Sequence, residues 1–174
     1  MSLTPTELTV LGLIAEQPRH GYDLEQVIEQ RGIRRWAEIG FSSIYYVLTK
    51  LEGRGLIASD DAQTGSKSRR VFHSTAAGRH AAEEGALEFI AGQRTVAHPL
   101  LVGLANLPLI ADEDYADALQ RRLTWIDARI STVIAAEHSQ APLPRAAREV
   151  FSYSLTLLEA ERSWLATRVR VPHE

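Results

Sequence analysis

The side chains best suited to chemistry in this sequence are hydroxyl, amine and guanidinium groups, and most fall in two short segments. Residues 42–50 combine Ser, Tyr and Thr hydroxyls with one lysine, and residues 67–70 carry a lysine and two arginines. Hydroxyls and cations are the groups that bind phosphate oxygens and base edges. The candidate contacts to double-stranded DNA are Ser42, Ser43, Tyr45, Tyr46, Thr49, Lys50, Lys67, Arg69, Arg70 and, at an earlier helix start, Tyr22.

Each of these groups also has a plainer role open to it. Ser42 and Ser43 are good helix caps, and Tyr45 can pack inward. Tyr22 can pack between helices, and the cations at 67–70 can form a solvated hairpin tip. The sequence favours the nucleic-acid interpretation because the two segments are close along the chain.

The charge distribution supports that interpretation. The net charge is −3, but residues 31–79 carry nine basic against four acidic side chains, a local excess of +5. Residues 80–174 carry nine basic against 13 acidic side chains, or −4. Local charge decides phosphate attraction, so the first half is the half expected to meet DNA.

Catalysis is not indicated. The chain has no cysteine, no glycine-rich phosphate loop and no nucleophile elbow. His80, Glu83 and Glu84 have a spacing that fits a metal on one helix, but no second ligand pair stands at a telling distance. We expect no enzyme activity, no cofactor and no metal.

The sequence shows no targeting signal, so the cytoplasm is the expected location. The N-terminus lacks the basic and apolar regions of a signal peptide, and the longest apolar candidate, residues 99–111, is interrupted by Gly103, Asn106 and Pro108. We therefore expect a cytoplasmic protein without a membrane segment.

The first half has the element order of a winged helix-turn-helix. Thr4 and Glu7 form a capping box around Pro5, and Thr75 can cap a later helix. The predicted helices run from Pro5 to about Glu16, from about His20 to Gly32, from Ser42 or Ser43 to Gly53, and from Thr75 through Phe89 towards Arg94; the predicted strands are 56–59 and 69–74. The pattern predicts a mainly α fold with a small β-wing over residues 1–94.

The second half, residues 95–174, predicts an antiparallel helical dimerisation arm. Two long helices are expected, over about 112–137 and 145–168, and the apolar residues of the first recur at alternating spacings of four and three. Such a heptad seam is typical of helices that pack along their length. The residues assigned to the dimer contact are Leu119, Leu123, Ile126, Ile130, Val133, Phe151, Leu158 and Trp164.

Aromatic residues in this arm leave a second role open. Trp125 and Tyr153 can line a pocket for a small aromatic ligand, or they can belong to the dimer core. The sequence does not decide between them.

Several blocks of the first half resemble the PadR-type transcriptional regulators. They are Leu11-Gly12-Leu13-Ile14, His20-Gly21-Tyr22-Asp23-Leu24, Ser43-Ile44-Tyr45, Leu51-Glu52 with Gly55-Leu56-Ile57, and Arg69-Arg70-Val71-Phe72-His73-Ser74-Thr75-Ala76-Ala77-Gly78. The second half is similar only in helical architecture and length, and Tyr46 stands where the family usually has proline. The resemblance implies the longer-tailed subgroup: a homodimeric repressor that binds a palindromic operator and is in some cases released by a small aromatic effector.

A winged helix can also dock proteins, so a protein-protein module without DNA reading is the alternative function. The hydroxyl- and cation-bearing segments favour phosphate over an apolar partner.

Overall fold

A computed structural model describes residues 2–37, 39–40, 43–60, 70–93 and 96–169. The chain divides into two compact units, Met1–Thr95 and Val96–Glu174.

The N-terminal unit is built of four helices and three short strands. The first helix begins at the predicted capping box: the Glu7 N–H donates to the Thr4 hydroxyl (3.2 Å), and the Thr4 N–H donates to Glu7 Oε2 (2.9 Å). The elements are α1 (Pro5–Glu16), β1 (Arg19–His20), α2 (Gly21–Gln30), a 3₁₀ turn (Ile33–Arg35), α3 (Ser43–Gly53), β2 (Ile57–Ser59), β3 (Val71–Ser74) and α4 (Ala76–Ala91). The predicted fold class, mainly α with a small β-wing, is confirmed.

The three strands form one antiparallel sheet in the order β1-β3-β2. Ser59 pairs with Phe72 across β2 and β3, and Arg19 pairs with Phe72 across β1 and β3. The sequence did not predict β1, because two residues are too few for a recognisable alternating pattern. This strand joins the α1–α2 corner to the base of the wing.

One apolar core holds this unit together. Residues from α1, α2, α3 and the wing strands contribute to it, among them Leu11, Leu24, Leu51 and Phe72. The start of α4 closes against the wing: a Cβ on Gly78 would lie 1.8 Å from the Leu56 carbonyl oxygen. Only glycine permits that approach, so the geometry explains why the helix begins Ala76-Ala77-Gly78.

The C-terminal unit is entirely helical in the residues described. It contains α5 (Pro99–Ala105), a 3₁₀ turn (Leu107–Leu109), α6 (Asp112–Ser139) and α7 (Arg145–Val169). The two long helices match the predicted ranges to within two residues. The sequence of 99–111 predicts only an interrupted apolar run, whereas Pro99 at the first position of α5 suits a helix start.

Three of the five residues of the predicted heptad seam are buried within one chain. Leu119, Ile126 and Leu165 form a cluster between α6 and α7, and Val133 is also buried. A turn of five residues lets α7 return along α6, so the second helix of the same chain covers the seam.

None of the described helices combines the length and the apolar character that crossing a membrane requires.

Candidate nucleic-acid interface

Helix α3 has one buried face and one open face. Ile44, Val47, Leu48 and Leu51 lie at the i, i+3, i+4, i+7 positions, and all four are buried in the core. This spacing fixes the rotation of the helix about its axis. The side chains between them must therefore point away from the core.

The open face carries three of the predicted contacts with hydroxyl groups. Tyr46 is 69% exposed, Tyr45 is 45% exposed, and Thr49 is exposed. The Thr49 hydroxyl donates to the Tyr45 carbonyl (3.0 Å), so its oxygen lone pairs remain as acceptors. The face presents donors and acceptors at the reach that base edges and phosphates require.

The start of α2 lies against this face. A Cβ on Gly21 would stand 2.9 Å from Cε1 of Tyr45 and 3.4 Å from Cδ1 of Leu48. The next residue, Tyr22, is 59% exposed. Because the start of α2 lies this close to α3, Tyr22 is a third exposed tyrosine beside the open face. The predicted phosphate contact from Tyr22 requires such a position.

Lys50 is engaged within the protein. Its Nζ lies 2.7 Å from Oε1 of Glu7, and Nη1 of Arg54 lies 3.4 Å from Oε2 of the same carboxylate. Burial raises the pKa of Glu7, but the hydrogen bonds from Lys50 and the Thr4 N–H, with the charges of Lys50 and Arg54, outweigh burial and hold that pKa below its ordinary value. The ammonium of Lys50 thus has a carboxylate partner within the protein, and its predicted contact with DNA stays a prediction.

Arg70 is also engaged. Its guanidinium bonds the Glu52 carboxylate and the Ser59 hydroxyl and lies over the Phe72 ring, 5.3 Å from the centroid. Ser59 donates to Glu52 (2.9 Å), which closes the network. Arg70 thus joins α3 to β2 and β3, and its predicted contact with DNA stays a prediction.

Four predicted contacts cannot be placed. Ser42, Lys67 and Arg69 lie outside the described residues, and Ser43 begins α3 with nothing described of its side chain. Their assignment to DNA stays a prediction.

Two features of the N-terminal unit were missed in the sequence. Trp36, in the link between α2 and α3, is 55% exposed. The partners of the predicted cations were also missed: Glu7 pairs with Lys50 and Arg54, and Glu52 pairs with Arg70. No spacing in the sequence indicates these pairs. The capping-box role of Glu7 was visible, and its contact with Lys50 was not.

The residues assigned to the dimer lie in the α6–α7 hairpin. Leu119, Ile126 and Val133 are buried in it, so they offer no surface to a partner while the hairpin is folded. The other five are half-buried. Four of them pack against the buried cluster, namely Leu123, Ile130, Leu158 and Trp164, and Phe151 lies apart from it. Packing within one chain accounts for the seam, and a dimer contact through it stays a prediction.

The two candidate effector residues are exposed. Trp125 on α6 and Tyr153 on α7 are both more than half accessible. Their part in a ligand pocket also stays a prediction.

The metal alternative gains no support. His80 and Glu84 lie 3.4 Å apart on exposed α4, but nowhere in the described parts of the chain do three His, Asp or Glu side chains form a group that could hold a metal ion.

With this geometry in place, the comparisons with known proteins are decisive. The family model of the transcriptional regulator PadR-like family matches residues 10–84, which run from α1 into α4. The N-terminal unit is thus similar to the PadR-like family over these residues. This family consists of transcriptional regulators, not enzymes, so the resemblance predicted from the sequence blocks is confirmed.

Solved structures extend the likeness over both units. Bacillus subtilis PadR in complex with operator DNA is 20% identical, with a TM-score of 0.76 over 95% of this chain and 98% of that chain. The same protein in complex with p-coumaric acid gives 18% identity and a TM-score of 0.78 over 95% and 97%.

A second regulator shares the fold. The Vibrio cholerae virulence activator AphA is 18% identical, with a TM-score of 0.72 over 94% of this chain and 95% of that chain. No curated protein sequence matches the chain. At these identities the structural likeness shows that the N-terminal unit and the helical unit share the fold of these regulators.

Proposed function

We propose that this PadR-family regulator is a repressor that binds a palindromic operator as a homodimer in the cytoplasm, where bacterial operators lie. One observation carries the proposal. The face of α3 opposite the core presents Tyr45, Tyr46 and Thr49 to solvent, on a domain whose family is one of transcriptional regulators.

The major groove suits this face. An α-helix fits the groove, and short hydroxyl-bearing side chains reach both phosphates and base edges there. Tyr22 at the start of α2 would add a phosphate contact beside it. Bacillus subtilis PadR, which shares the fold, has been seen on operator DNA.

A homodimer would give the DNA-binding domains enough contacts with an operator. One small module reads too few base pairs for an operator, whereas a two-fold pair reads two half-sites about one helical turn apart. The C-terminal unit supports pairing because it exposes large apolar side chains, including Leu101, Val102, Tyr153 and Leu157. Burying such groups against a second copy would be favourable.

A small aromatic molecule is the proposed effector. Bacillus subtilis PadR has been seen with p-coumaric acid, and the arm of this chain exposes Trp125 and Tyr153. Rings of this kind stack on aromatic ligands.

The test of DNA binding starts from sequence selection. The full chain is used to select duplexes from a random 30-base-pair pool, and their binding is followed by fluorescence anisotropy across salt concentrations. We expect a two-fold symmetric consensus, two chains per duplex and weaker binding as salt rises. Failure to enrich any sequence, or binding as one chain, contradicts the proposal.

The sign of regulation has its own test. The selected site is placed between a promoter and a reporter gene, and the protein is expressed in the same cell. We expect reporter output to fall, and to recover when an aromatic acid of the p-coumarate type is added. A rise in output would identify an activator instead.

The matched variants are Tyr46→Phe and Tyr153→Phe. Each removes one hydroxyl from an exposed tyrosine, the first on the open face of α3 and the second on α7 of the helical arm. We expect weaker selected-site binding only for the first, by about tenfold per lost base-edge or phosphate contact. Equal binding by both variants would place Tyr46 outside the DNA contact.

A further inference from the structure

The buried carboxylate of Glu7 pairs with two cations beside the open face of α3. Glu7 is 2% exposed, although it is charged. Burying an unpaired carboxylate is costly, so a carboxylate that stays ionised needs cationic or hydrogen-bonding partners.

Glu7 has three such partners. Its Oε2 accepts from the Thr4 N–H at 2.9 Å and lies 3.4 Å from Nη1 of Arg54, and its Oε1 lies 2.7 Å from Nζ of Lys50. Lys50 and Arg54 come from the last turn of α3 and the residue just after it. One carboxylate on α1 therefore holds two cations at the C-terminal end of α3.

The pairing sets how those cations meet a polyanion. A free lysine or arginine binds any phosphate, and this attraction supplies most non-specific affinity. An ammonium held 2.7 Å from a carboxylate can contact a phosphate only by leaving or sharing that partner. The open face of α3 is then left mainly to uncharged tyrosine and threonine groups, which discriminate between bases by hydrogen bonding.

We propose that Glu7 is a specificity-determining positioning residue: by holding Lys50 and Arg54, it keeps two cations from binding phosphates non-specifically and fixes the end of α3 against α1. Glu7 itself touches no DNA. This inference rests on the DNA-binding function proposed above.

The variant that tests it is Glu7→Gln. Glutamine serves the capping box as glutamate does, so the hydrogen bond with the Thr4 N–H is kept and only the charge is removed. Glu83→Gln is the matched control, because Glu83 is an exposed carboxylate on α4 of the same unit for which the structure records no ion pair. Both variants change the net charge by the same amount.

Two duplexes are the probes: the site selected by the wild-type protein and a random-sequence duplex of equal length. For Glu7→Gln we expect random-duplex affinity to rise by about three- to tenfold and the slope of log K against log salt to steepen by about 0.9 per phosphate gained. Selected-site affinity should change less, so the ratio of the two affinities falls. The double variant Glu7→Gln with Lys50→Met should recover part of the wild-type slope, because Arg54 remains released from Glu7, and Glu83→Gln should change neither slope nor ratio.

A second measurement needs no variant. The lysines of the chain are Lys50 and Lys67, so an acetylated peptide identifies each of them. We expect Lys50 in the wild-type protein to react with acetic anhydride several-fold more slowly than a lysine in a short peptide, and the selected duplex to add less than about twofold protection.

The outcomes separate the two proposals. If the wild-type protein selects no sequence, the proposed function fails. If it selects a site but Glu7→Gln keeps the wild-type slope and affinity ratio, or Lys50 reacts as fast as the peptide or is strongly protected by DNA, the role of Glu7 is refuted.

Discussion

The two units bury apolar side chains to very different extents. Among the described residues, a continuous core of seventeen buried side chains joins the helices of the N-terminal unit to the wing, whereas the cluster between α6 and α7 has three buried members. The C-terminal unit also exposes large side chains such as Leu109, Trp125 and Tyr153. The N-terminal unit therefore closes a large core by itself, whereas the helical unit leaves large apolar side chains exposed along its long helices, the surface that the proposed homodimer would bury.

The strongest test of the self-sufficient core is Gly78→Ala. The added Cβ would meet the Leu56 carbonyl at 1.8 Å, and backbone cannot yield as a flexible side chain can. We expect a loss of about 4 kcal/mol of unfolding free energy in the N-terminal unit, measured by urea denaturation.

Gly12→Ala is the matched control, since nothing lies within 4 Å of its Cβ position inside α1. It should stabilise the unit by about 0.5–1 kcal/mol through helix propensity. Equal effects at both glycines would show that the α4–wing contact is not tight.

The hairpin between α6 and α7 should respond to Ile126→Ala. Ile126 is fully buried, so its truncation removes apolar contacts and leaves a cavity. We expect the unfolding free energy of the C-terminal unit to fall by about 3 kcal/mol. Thermal unfolding followed by circular dichroism measures it.

Leu157→Ala sharpens the comparison from the other side. Leu157 is 54% exposed on α7, so its truncation should cost the hairpin less than about 1 kcal/mol and weaken self-association instead. Sedimentation at several protein concentrations separates the two effects, and an unchanged association constant would remove Leu157 from the dimer surface.

The α3–wing network should respond to Arg70→Ala by a smaller amount. The guanidinium bonds both Glu52 and Ser59, so its loss should cost about 1–2 kcal/mol of unfolding free energy. Arg70→Lys keeps the charge but loses the planar guanidinium that lies over the Phe72 ring, so it should recover only part of that loss. Urea denaturation at pH 7 measures all three proteins. If neither variant differs from wild type, the network contributes nothing to stability.

The smallest expected effect is a pH dependence at Glu7. Its pKa in the folded protein is lowered from the ordinary 4.5, so its contribution is complete above pH 4.5 and is lost as pH falls through the folded value. We expect the wild-type advantage over Glu7→Gln, about 1 kcal/mol at pH 7, to shrink as pH falls from about 5 to 3. Urea titrations of both proteins across that range provide the measurement, and a constant difference would contradict the assignment.

The helices could be predicted because their signals are local. The Thr4 and Thr75 caps, the apolar spacing of α3 and the turn after α6 each lie within a few residues, and the observed ends agree closely. The heptad seam in α6 was equally visible. Spacing defines which face is apolar but not which helix covers it, and here the cover is α7 of the same chain.

The candidate site was predicted in part for the same reason. The exposed tyrosines of α3 follow directly from the positions of its buried residues. The partners of Lys50 and Arg70 do not, because Glu7 is 43 residues from Lys50 and Glu52 is 18 from Arg70, and no periodic pattern spans such separations. Charge counts indicated a basic region without showing that part of it is neutralised internally.

The sheet order β1-β3-β2 has a consequence for aggregation. The strand with both edges paired is β3, and the outer strands have two and three residues. Edges this short give another chain few free backbone groups on which to add a strand. Within the residues described, the N-terminal unit thus offers little template for fibril-like growth.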